Sequence, residues 1–210
     1  MGKTVPGPRD FINYLYSIKT FIGIVVLVFF ISMALGYVIP LISSHISDML
    51  ISGLEEKAKA LSGQSQIMMM LGIFSNNVMG SVMSLVFGLV AGIFPLFFMI
   101  SNGMVIGIIL EMIIAKMGVV GGTTFFLAGV LPHGIFELPA VFISTAIGLK
   151  LGYEALRSLV LKKDVVTPEL IRGLTIYVFW ILPILFLAAI VETFITGAIL
   201  AHFAHIPIFL

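Results

Sequence analysis

Along the 210-residue chain, long apolar runs alternate with short polar intervals, and the runs set the architecture. Thr20 to Leu41 is uninterrupted for about 22 residues, enough to cross the ~30 Å hydrocarbon core as a helix. Ile42 to Gln66 is the longest polar stretch. Its Ile46, Met49, Leu50 and Leu54 recur at helical spacing, which predicts an amphipathic segment lying at the interface. From Ile67 to Met117 the chain is apolar for longer than one span, so it must turn back. Asn102-Gly103 is the local turn signal there, predicting spans of about Asn77–Ile100 and Met104–Met117, with Pro95 kinking the first. Gly118, Gly121 and Gly122 predict a loop, Thr123 to Leu149 a fourth span, and Leu174 to Leu200 a fifth. Thr167-Pro168-Glu169 offers a cap, a first-turn proline and an acidic residue at the start of that last helix.

The pattern predicts an all-α, polytopic transmembrane bundle of about five spans. Residues 1–19 form a basic arm and 20–210 a single transmembrane domain, with the amphipathic segment at about 42–66 and a cytoplasmic loop at about 150–172. Composition agrees: 60% of residues are hydrophobic and only 10% charged, against roughly 25% charged in soluble domains. Lys3, Arg9 and Lys19, and Lys150, Arg157, Lys162, Lys163 and Arg172, mark two basic regions, and the positive-inside rule puts both in the cytoplasm. A cell-membrane protein with its N-terminus inside and its C-terminus outside is expected. The basic start and apolar first run also fit a signal peptide, but the run exceeds a typical h-region and further spans follow, so an uncleaved anchor is expected. A net charge of +1 does not point to nucleic acid, and the absence of Cys excludes disulfides, thiolate catalysis and Cys-ligated zinc. Ser84, Gly88 and Gly92 stand four residues apart, as do Gly103 and Gly107, and Gly148 and Gly152. Such spacing lets helices approach closely, either within one bundle or across a dimer interface. A homodimer or small homo-oligomer in membrane lipid is expected.

Chemistry concentrates in Leu131-Pro132-His133-Gly134-Ile135-Phe136-Glu137-Leu138-Pro139. A charged group near the middle of the bilayer costs about 2.5–3.5 kcal/mol on insertion scales, so one that is present faces protein, water or a partner. His133 and Glu137 share a helix face at i and i+4. Pro132 and Pro139 withhold the donors due to the carbonyls of Ala128 and Ile135, which predicts that the fourth helix is broken over Pro132 to Pro139. At ~1.5 Å per residue, His133 lies about 15 Å, Glu192 about 12 Å and Glu137 about 21 Å from the outer face, so His133 and Glu192 are placed to meet. One imidazole and two carboxyls suit a divalent metal, a proton or ion relay, or a structural lock that satisfies polar groups at the helix break. Asn76 and Asn77 are expected to cap the second helix, and Asn102 to make its turn.

The residues Asn76-Asn77, Asn102-Gly103, Pro132-His133-Gly134 with Glu137 and Pro139, and Val191-Glu192-Thr193 through Thr196 resemble the stage II sporulation protein M family of integral membrane proteins. The resemblance covers roughly Asn76 to Thr196. It implies five spans and a cytoplasmic N-terminus, and in spore-forming bacteria a role beside a membrane-anchored peptidoglycan hydrolase and its activator during engulfment. It implies no catalytic residues. The expectation drawn from it is a non-enzymatic scaffold or assembly factor for membrane protein partners. An ion or small-solute channel or transporter using His133, Glu137 and Glu192 is the alternative, and an intramembrane metal-dependent hydrolase the third.

Overall fold

A computed structural model describes residues 5–42, 52, 53, 56, 63–90 and 92–204. Most of the expected amphipathic segment at 42–66, and His205, lie outside them. The described residues form helices throughout, with no strand among them. Helix α1 (Pro8–Ser17) starts where the Asp10 carboxylate accepts from the Gly7 N–H at 2.9 Å. It lays Tyr14, and Ile18 just beyond its end, into the core and is pinned to the last span, where Phe11 stacks on Trp180 at 4.7 Å and Trp180 Nε1 donates to Pro6 O. The first span, α2 (Lys19–Ile42), falls within a residue of the expected bounds.

The expected turn at Asn102-Gly103 is not there. Helix α3 (Gln66–Phe87) ends earlier, and the chain reverses through 88–92, where Gly92 takes a left-handed φ of 71°. The next helix, α4 (Ile93–Leu161), continues unbroken through Asn102, whose Nδ2 donates to Phe98 O one turn back at 2.7 Å. Asn-Gly marks a turn in water, but here the amide bonds to its own helix and Gly103 packs against Phe29 and Ser32 of α2. Pro95 accordingly stands in the first turn of α4 rather than kinking a span. Nor do Asn76 and Asn77 cap a helix: Ser65 caps α3, accepting from Met68 N at 3.3 Å, and the pair sits mid-helix.

The 69 residues of α4 make two arms, 93–117 and 119–161, reversed at Gly118 (φ 74°, ψ 168°), a conformation that favours glycine. Beyond the reversal, Gly122 lies against the backbone of Ile114 on the first arm. The helix is not broken over Pro132 to Pro139; both prolines lie within continuous helix. Each withholds a single donor, and the turns around it keep their remaining bonds. The expected loop at 150–172 is also mostly helical. The second arm runs to Leu161, and after a short link Asp164 Oδ1 accepts from Val166 N and Thr167 N at 3.1 and 3.0 Å, so Asp164 rather than Thr167 starts the last span. That span comprises α5 (Val166–Ile176), a π-helical turn π1 (Tyr177–Ile181), α6 (Leu182–Ile190), a second π-helical stretch π2 (Val191–Thr196) and α7 (Gly197–Ala204).

Small residues place the helices. Gly103 and Gly107 admit α2 against the first arm, at Phe29, Met33 and Tyr37. On the second arm, Gly148 and Gly152 meet Ser84, Gly88 and Gly92 backbone to backbone. These stripes are taken up inside the chain, and Gly173 completes the crossing against Ile147. Around them Leu85, Met99, Ile147, Leu151, Ile181 and Leu185 form the core. The opposite faces are apolar and bare. Leu27, Ile31 and Leu35 line one side of α2 at 61, 52 and 57% exposure, an apolar stripe that no other described helix of the chain covers. The protein is an integral membrane protein, with helices long and apolar enough to cross the bilayer.

Charge gathers at one end of the bundle and is compensated there. Glu154, buried, takes Lys150 at 3.0 Å and Arg157 at 3.3 Å. Glu169, also buried, accepts the Tyr14 hydroxyl at 2.9 Å, with the Arg172 guanidinium over the Tyr14 ring. Burial, and then the charge of Glu169, push the Tyr14 phenol well above its usual range.

Candidate functional site

Midway along the second arm, about 16 Å of helix from the Gly148 crossing at ~1.5 Å per residue, the i, i+4 pair His133 and Glu137 faces the last span. The residue opposite is Glu192. One ligand atom from each of the three lies within 4.8 Å of the others, and all three side chains are half-buried. Glu192 stands in π2, and the wider π turn carries Glu192, Thr193 and Thr196 together. Such insertions recur at functional sites. The ring of His133 is held through Nδ1 by Thr196 Oγ1 at 3.3 Å. Among the described residues, no Lys or Arg forms an ion pair with Glu137 or Glu192, in contrast to Glu154.

Glu137 also lines a cavity of about 280 Å³ together with Asn76, Asn77 and Asn102. Phe94, Phe98, Met79 and Met83 supply apolar wall, and Val141, four residues beyond Glu137, closes the same helix face. Glu137 thus stands between two polar groupings: His133 and Glu192 on one side, the three asparagines on the other. The Asn77 amide reaches towards the Glu137 carboxyl, yet its Nδ2 is buried without completing a hydrogen bond. Thr193 Oγ1, on the turn that carries Glu192, is likewise buried and unsatisfied. An orphaned donor or acceptor in an apolar setting costs roughly 1–3 kcal/mol, so each of these atoms has reason to take a partner from outside the polypeptide.

Of the residues singled out in the sequence, the structure therefore joins His133, Glu137 and Glu192 in one cluster and Asn76, Asn77, Asn102 and Glu137 in one cavity. Pro132 and Pro139 flank the cluster. Gly134 is buried against its own helix: a Cβ there would meet only Val130 and Leu138 side chains, at 3.4 and 3.8 Å. Thr193 and Thr196 gain roles that their identity alone did not give them. The available signal was their position, one and four residues after Glu192 on the same helix.

No curated protein and no solved structure matches the chain. The family model described as Stage II sporulation protein M matches residues 25–197, which contain every member of the cluster and of the cavity. The chain belongs to the stage II sporulation protein M family.

Proposed function

We propose that the protein is an intramembrane cation-handling protein, a conduit in which His133, Glu137 and Glu192 form the selective station and the asparagine-lined cavity the adjoining chamber. The observation that carries this reading is the convergence of two carboxyls and an imidazole, with ligand atoms within 4.8 Å, where one of the carboxyls, Glu137, also lines a polar cavity. Two ionised carboxylates at that separation repel by about 3.5 kcal/mol at an effective dielectric of ~20. A proton or metal cation between them removes the repulsion, and among the described residues no Lys or Arg pairs with either carboxylate to do so. The basic residues at the charged end support a cytoplasmic placement of that end and of the N-terminus, with Gly118 outside. In that orientation the cluster lies in the outer half of the bilayer and the cavity deeper. The close crossing of Gly88, Gly148 and Gly152 lies further along the second arm, towards the cytoplasmic end.

The test is flux. Purified protein in liposomes should dissipate an imposed proton or metal-cation gradient faster than empty liposomes, and Glu137→Gln should abolish the difference. Flux indistinguishable from that of empty liposomes for protons, potassium and divalent cations alike would sink the conduit. A second reading, a scaffold for membrane protein partners, is favoured by the family membership. It expects stable co-purification of a defined partner that survives Glu137→Gln.

A further inference from the structure

The cluster carries a more specific chemistry than a generic cation site. Three points whose separations are all at most 4.8 Å have a common centre no more than about 2.8 Å from each, and zinc-class metals bind N and O ligands at about 2.0–2.2 Å. Bringing each ligand atom in by under ~1 Å therefore closes the shell around an ion at that centre. The donor set is one imidazole and two carboxylates, which suits borderline transition metals. Calcium and magnesium take shells of oxygen alone, and copper(I) favours sulfur ligands, which this donor set does not contain. Charge agrees as well, because two carboxylates and a dication make a neutral unit in an apolar environment.

The surroundings are those of a held ligand. Thr196 engages His133 Nδ1 at 3.3 Å, and when its hydroxyl accepts the Nδ1 proton, the imidazole lone pair is on Nε2. Fixing the tautomer through the second ring nitrogen is the usual outer-shell device at metal-bound histidines. Three protein ligands leave a fourth position open, and Glu137 borders the 280 Å³ cavity into which it can open. The buried, unsatisfied Asn77 Nδ2 and Thr193 Oγ1 lie on the two helical segments that flank this ligand set. At the charged end, by contrast, Glu154 and Glu169 already have protein partners and leave no anionic pair for a metal.

We propose that His133, Glu137 and Glu192 form a binding site for a divalent transition-metal ion of the zinc or manganese class, with Thr196 orienting the histidine. This deepens the conduit reading and rests on it for the ion's movement, but binding itself is tested apart from flux. Full-length protein in detergent, stripped with chelator and equilibrated with zinc, manganese or cobalt(II), should retain about one metal per chain, as three ligands around one centre require. Cobalt should develop the visible absorption of a low-coordinate N/O site. Glu192→Gln, which keeps size and hydrogen-bonding capacity, should weaken binding at least ~10-fold, and Thr196→Val should weaken it by ~10-fold through loss of the orienting contact. Glu154→Gln should leave it unchanged. Trp180 fluorescence checks that each variant is folded. Metal retention that is absent, or unchanged in both Glu192→Gln and His133→Gln, would overturn the site, as would equal affinity for magnesium. Flux without metal binding would leave the conduit standing and remove the metal. Binding without flux would do the reverse.

Discussion

Gly152→Ala isolates the contact that fixes the bundle. A Cβ added there would run first into Gly92 N, and would stand 2.6 Å from Gly88 O and 2.7 Å from Gly92 Cα, all backbone atoms that have no rotamer by which to give way. Reaching ordinary van der Waals contact at 3.4 Å from Gly88 O alone requires the turn after α3 and the second arm of α4 to part by about 0.8 Å, and relieving the closer Gly92 N requires more. A gap of that size forfeits a quarter to a half of the dispersion energy of each atom pair across the crossing, and overpacking of this kind costs about 1–3 kcal/mol. Alanine regains up to about 1 kcal/mol in helix propensity, so a net loss of roughly 1–2 kcal/mol is expected. Gly23→Ala is the control. Nothing lies within 4 Å of its added Cβ, so propensity acts alone and the change should be neutral or stabilising. Trp180 is the single tryptophan, and its ring is stacked on Phe11, so its fluorescence reports unfolding of the wild type and both variants in one detergent. Should Gly152→Ala prove as stable as Gly23→Ala, the close crossing is not what holds α3 to α4.

Tyr14 gives a pH prediction. Its folded phenol is held above the ordinary value of 10.0 by burial and by Glu169, so the stability from this proton is intact below about pH 10 and is lost as pH rises beyond it. Tyr14→Phe should cost about 1–2 kcal/mol at neutral pH and flatten the alkaline decline, as read by unfolding between pH 8 and 11. In the cluster, His133→Ala and Glu192→Ala should each change stability by about 1–3 kcal/mol and be non-additive in the double change; strict additivity would show that the two do not interact. Topology is accessible because the chain lacks cysteine: a cysteine replacing Val119, 70% exposed, should react with an impermeant reagent from outside intact cells, and one replacing Leu159 should not. Reaction at 159 would invert the proposed orientation.

The sequence revealed some of this and concealed the rest for physical reasons. The α2 and final spans were legible because each is a single apolar run with charges at the start, Lys19 in one case and Asp164 with Glu169 in the other. The paired spans between them were misdivided. Asn102-Gly103 has strong turn chemistry in isolation, but a neighbouring helix at Phe29 made the glycine a packing position, and the true reversals rest on left-handed glycines at 92 and 118. A single chain read alone does not show which glycine will meet another helix. The cluster was legible because depth along a helix follows from counting residues and ionisable groups at depth need partners. The cavity was not, since its asparagines come from α3 and the first arm of α4, and only the correct reversals carry them to Glu137.

The charged end of the bundle and its middle treat polar groups in opposite ways, and the contrast supports the proposed site. At the charged end every buried carboxylate named above is answered: Glu154 by Lys150 and Arg157, Glu169 by the Tyr14 hydroxyl. Midway along the bundle, where apolar surroundings make compensation more valuable, Glu137 and Glu192 face one imidazole without an ion pair to Lys or Arg among the described residues, and Asn77 and Thr193 each retain an unsatisfied atom. A structural lock has the opposite requirement, because its stabilising effect depends on every member being satisfied. Substituting apolar residues for such a set commonly leaves stability unchanged or improved. On the proposed reading, polar groups held without mutual satisfaction by tightly packed helices are pre-organised for something absent from the polypeptide, and two acids facing a histidine select a cation for that place.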